Sequence, residues 1–91
     1  MNNVKGKLMS KETFLDNAAY TKEPYEGILV SADTKNEQYK IAVQLSENQV
    51  ILVDEVSDRE VQERVHQWIP RVNEIQLHYG VKNDLENYSE H

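Results

Sequence analysis

Four carboxylates crowd one short stretch of this chain: Asp54, Glu55, Asp58 and Glu60. At that density, carboxylate oxygens can hold a hard cation such as Mg²⁺ or Ca²⁺. The stretch has no glycine for a tight ligand loop and no ligands at alternating positions, so the pattern of a calcium loop is missing. Acids at the head of a helix have another use, because they complement the partial positive charge of its first turn. The expectation is no bound metal. Asp54, Glu55, Asp58 and Glu63 are read instead as surface that meets a partner.

Other chemistry fails on residue type or spacing. His66, His78 and His91 are separated by 12 and 13 residues, which does not place two imidazoles on one helix face for a shared metal. None of the five serines lies in a Gly-x-Ser-x-Gly or Ser-x-x-Lys setting. The three glycines, Gly6, Gly27 and Gly80, are too scattered for a phosphate-cradling loop. The absence of cysteine excludes thiolate nucleophiles, disulfides and thiolate-bound metal. No enzyme activity and no cofactor are expected. Tyr25 and Tyr39 with Lys22, Lys35 and Lys40 nearby could form a platform for stacked bases. Tyr39, however, shares its alternation with Ile41, Val43 and Leu45 and therefore reads as core.

The chain has 91 residues and a formal net charge of −6. Six lysines balance six acids over residues 1–45, so the imbalance lies in residues 46–91, where ten acids face four bases. That field repels phosphate backbones and weighs against direct nucleic-acid binding. It equally serves solubility or attraction to a basic partner. No apolar run has the length of a membrane span or the form of a signal peptide, so a cytoplasmic location is expected.

The elements that would position these residues come from periodicity. Ser10 is placed to cap a short helix that carries Phe14, Leu15, Ala18 and Ala19. Lys22-Glu23-Pro24 closes it, because proline lacks the donor that a helix interior needs. Residues 25–32 read as a strand. Residues 38–45 form a second one, with Tyr39, Ile41, Val43 and Leu45 on one face and Gln38, Lys40, Ala42 and Gln44 on the other. After the polar loop Ser46–Gln49, the third strand, Val50-Ile51-Leu52-Val53, is apolar on both faces and needs cover on both. A helix on one side and barrel curvature, a second layer or another copy of the chain on the other would supply it.

Ser57-Asp58-Arg59-Glu60 has the form of a capping box, and Val61, Val65, Trp68 and Ile69 continue it as the apolar stripe of a helix over 58–69. Trp68 is read as a core anchor. Beyond Pro70 two periods compete. Ile75, Leu77, Tyr79 and Val81 alternate as a fourth strand over 72–79. Val72, Ile75 and Tyr79 fit a proline-kinked helix, which leaves Leu77 exposed. The strand is taken as the expectation.

The expected protein is α+β: a mobile lead over residues 1–9, one domain over 10–81, and a frayed polar tail over 82–91. The domain would be a small antiparallel sheet of three meander strands plus the fourth, barrel-like if it closes, with one main helix and a short N-terminal one. The function expected is a small non-enzymatic protein-binding module, a regulator or accessory factor. Its partner would be another protein, including a basic nucleic-acid-binding one, or a second copy of itself. Two alternatives stand beside it: an acidic nucleic-acid mimic from a phage or mobile element, and a small RNA-binding barrel using Tyr25 and Lys40.

Overall fold

Alternation over Tyr39, Ile41 and Val43 produces the central strand of a five-stranded antiparallel sheet. The computed structural model describes residues 6–16, 20–33 and 38–79. In chain order the elements are β1 (Lys7–Ser10), α1 (Lys11–Asp16), β2 (Tyr20–Tyr25), β3 (Ile28–Asp33), β4 (Gln38–Gln44), β5 (Gln49–Ser57) and α2 (Val61–Trp68). A 3-10 turn, Ile69–Arg71, follows, and a last helix, α3, covers residues 72–79. The strand order is β1-β5-β4-β3-β2, with every neighbouring pair antiparallel. β1 and β2 are the two edges and do not pair with each other, so the barrel-like closure expected from sequence is not formed. The polar tail expected over 82–91, and Ala18 and Ala19 of the first helix, lie outside the described residues.

Both faces of the sheet carry apolar side chains, and helices of the same chain cover each. On one face Ile28, Val30, Ile41, Val43, Ile51 and Val56 pack with Val65, Val72 and Ile75 from the α2–α3 arm. On the other, Phe14 of α1 lies with Leu29, Ala42 and Val50, flanked by Met9 and Leu52. The two-sided cover required by Val50–Val53 is thus supplied internally. That strand no longer argues for a second copy.

Ser10 caps α1 as expected: its hydroxyl accepts the Thr13 N–H at 3.0 Å and donates to the Thr13 hydroxyl at 2.7 Å. The Lys11 N–H also donates to the Asn48 carbonyl at 2.8 Å, which ties the helix to the β4–β5 loop. Replacing Ser10 by alanine should cost about 1 kcal/mol. A thermal melt would read this as a midpoint lowered by about 4–8 °C. An unchanged melt would show that the cap contributes nothing.

Three expectations about the second half require correction. First, the helix expected from residue 58 begins at Val61, because β5 runs on to Ser57 and a turn occupies 58–60. The capping box does not form. The Glu60 N–H donates to the Ser57 carbonyl, not to its hydroxyl, and the Ser57 hydroxyl donates to the Glu60 carboxylate at 3.2 Å. Second, the pairing shifts from Ile41↔Asp54 to Ala42↔Leu52, so Val53 is an extra residue, a bulge, on β5. Strict alternation would put Val56 on the face of Val50; the bulge turns it into the α2–α3 core, where it is 4% exposed.

Third, residues 72–79 are a helix and not a fourth strand. Pro70 falls in the first turn of the 3-10 segment, where its missing N–H is not needed, and the Val72 N–H donates to the Ile69 carbonyl. The helix buries Val72 and Ile75 and leaves Leu77 65% exposed. The sheet's second edge is instead formed by β2, which contains Pro24 and a bulge between Lys22 and Tyr25. Proline is tolerated there because an edge strand has one row of N–H groups without a ladder partner.

Candidate functional site

The four acids read as a contact surface lie on different parts of the fold. Asp54 points toward α2, where Arg64 donates to both its oxygens at 3.1 and 2.8 Å and the Trp68 indole N–H donates at 2.8 Å. Its side chain is only 14% exposed, so it is a strut between β5 and α2. The bulge causes this orientation, since it places Asp54 opposite Ile41 on the face covered by α2 and α3. Glu55 pairs across the sheet with Lys40 and so lies on the opposite face. Asp58 sits in the turn before α2, and Glu63 is exposed on that helix. Among the described residues no three His, Asp or Glu side chains group as a metal site. Glu60 and Glu74 approach Arg64 and Arg71 at 3.8 and 3.6 Å, which neutralises part of the helix surface.

Trp68 anchors against the core with its polar edge held by Asp54, and the Arg71 guanidinium lies 5.2 Å from its ring centroid. Tyr39 packs against the α2–α3 core, whereas Lys40, next in the strand, faces the other way. Tyr25 is opposite Ile28 and Tyr39 opposite Ala32, so the two positions flank β3 on different strands and are offset by four of its residues, about 13 Å along the strand. They form no joint stacking surface with Lys40.

What the fold does assemble is a groove between α2 and β2. The inward side of α2 carries Val61 and Val65, while one flank, with Arg64 and Trp68, is drawn to β5 by Asp54. The other flank of the helix, with Gln62 and His66, and Ile69 just beyond it face Lys22 and Pro24 of β2 across open space. The recess has a volume of about 660 Å³, with Val30 and Tyr39 as its floor and Asp58 and Arg59 at its head. Val30 and Val65 are buried, and the charged rim is exposed. Past Ile69 it leads to a smaller recess of about 290 Å³ between Tyr25 and Glu26 on one side and Asn73 and Gln76 on the other.

The β2–β3 turn closes this end. Gly27 has a φ of 89°, a left-handed conformation that favours glycine. A side chain there would also meet Gln76 at 3.0 Å and Val72 at 3.1 Å. The Gln76 side-chain amide donates to the Gln44 carbonyl at 2.9 Å, so turn, β4 end and α3 are held together.

The groove is not legible in the sequence. Its one local trace is the pair Gln62 and His66, four residues apart on the flank beside the apolar stripe that ends in Ile69. Lys22 and Pro24 have the form of a helix stop and carry no signal for a strand. No family model, curated protein or solved structure matches the chain. No helix among the described residues is long and apolar enough to cross a membrane.

Proposed function

We propose that this chain is a small protein-binding module, a regulator or accessory factor that acts by contact, and that its partner lies in the groove between α2 and β2. The observation that carries the reading is the position of that groove beside an edge strand that has no strand neighbour on its outer side among the described residues. An edge strand offers backbone donors and acceptors to an added chain, and a neighbouring recess offers specificity for its alternate side chains. A groove with an apolar floor and polar groups on its rim is the usual form of such a site. The separated positions of Asp54, Glu55, Asp58 and Glu63 give a nucleic-acid mimic no continuous acidic row. Tyr25 pairs with Ile28 and Lys40 with Ser31, positions on opposite faces of β3, which gives an RNA-stacking surface built on Tyr25 and Lys40 little support.

Photo-crosslinking tests this. A photoreactive side chain at Gln62, in the groove wall, is expected to crosslink to a partner in the native host, while the same group at neighbouring Glu63 or at Glu55 is not. Crosslinks from Glu63 and Glu55 with none from Gln62 would transfer the contact to the acidic surface and end the groove reading.

A further inference from the structure

We infer that the groove takes an extended peptide that presents carboxylates beside an apolar anchor. This inference rests on the groove reading and adds the chemistry of the partner. With a net charge of −6, the chain as a whole attracts basic partners and repels acidic ones. The groove is a local exception. Its head carries the Arg59 guanidinium beside the single lining carboxylate of Asp58, with Lys22 on the facing wall and the His66 imidazole, a further N–H donor, along the helix. Arg59, in the turn before α2, forms no ion pair with any described residue, in contrast to Arg64 and Arg71 further along, which are matched to acids. An unmatched guanidinium at the head of a recess is suited to bidentate contact with a carboxylate.

Shape supports a peptide. From Val61 to Ile69 the recess follows α2 for about 12 Å, the span of about four extended residues. An added strand beside Tyr20–Lys22 would turn alternate side chains toward the α2 flank, with an apolar one over Val30, Tyr39 and Val65 and acidic ones at the rim. Pro24 and the bulge between Lys22 and Tyr25 interrupt the regular edge after Lys22, which limits uncontrolled pairing of this strand.

The test is selection of random peptides of about seven residues displayed on phage against the immobilised full chain, with one selected peptide then measured on variants. Arg59→Glu and Gln62→Trp are both exposed changes, the first reversing the rim charge and the second filling the recess. The folding of each is checked by its thermal melt. The expected result is enrichment of Asp or Glu beside Val, Ile, Leu or Phe, with affinity reduced about tenfold or more by Arg59→Glu and abolished by Gln62→Trp. Selection of Lys- or Arg-rich peptides that Gln62→Trp abolishes would overturn the acidic class and leave the groove reading standing. Recovery of no peptide, or of peptides indifferent to Gln62→Trp, would overturn both. Concentration-dependent self-association abolished by Gln62→Trp would name a second copy as the occupant and overturn the inference.

Discussion

Truncation of Phe14 to alanine is expected to cost about 3–5 kcal/mol, the range for deleting a buried aromatic side chain. Phe14 is the one deeply buried residue of α1, and it covers Leu29, Ala42 and Val50 on the face away from the other helices. Removing it strips that face of its lid and leaves a cavity that the short helix cannot collapse to fill. A domain of this size has a total stability of about 5–15 kcal/mol, so the variant would keep a fraction of it. At about 4–8 °C per kcal/mol, the melting midpoint should fall by more than about 12 °C.

The wild-type midpoint, in turn, should be independent of protein concentration, because the cover for β5 comes from within the chain. A small loss in Phe14→Ala combined with a midpoint that rises with concentration would mean that another copy covers this face.

The second large effect is expected at Asp54. Replacing it by alanine leaves the partly buried Trp68 indole N–H and the Arg64 guanidinium without their acceptor. Bonds to a charged group of this kind contribute about 1.5–3 kcal/mol, and the partial exposure of Arg64 holds its share to the lower part of that range. A total of about 2–3 kcal/mol is therefore expected for Asp54→Ala. Asp54→Asn should fall between, since an amide keeps one acceptor oxygen and turns a donor toward the other site. Glu63→Ala, exposed and without a hydrogen bond, should stay within about 0.5 kcal/mol. Chemical denaturation of the three variants reads this order. An unperturbed Asp54→Ala would remove the strut and return Asp54 to the surface role its sequence context implied.

This pair of positions shows where the sequence was legible. Asp54 and Glu63 look alike in the chain, both acids near the start of a helical stretch, yet one braces β5 against α2 and the other faces water. The difference comes from Val53. One extra residue in the β4–β5 pairing rotates Asp54 inward, and no local pattern marks a bulge inside an apolar run. The candidate groove lies on the other side of the same helix, between its Gln62–His66 flank and β2.

By itself the sequence determined the alternation of β4, the cap at Ser10, the apolar stripe of α2 and the need to cover Val50–Val53 twice. Each of these is encoded in neighbours a few residues apart, where side-chain period reports directly on which face is buried. Only the tertiary structure decided that α1 supplies the second cover, that Tyr20–Tyr25 is an edge strand despite Pro24, and that residues 72–79 coil where their alternation also fits a strand. Those outcomes depend on which surfaces distant segments leave open. A lone proline is acceptable where one row of N–H groups needs no ladder partner, and an exposed Leu77 is acceptable where Val72 and Ile75 find a core to enter.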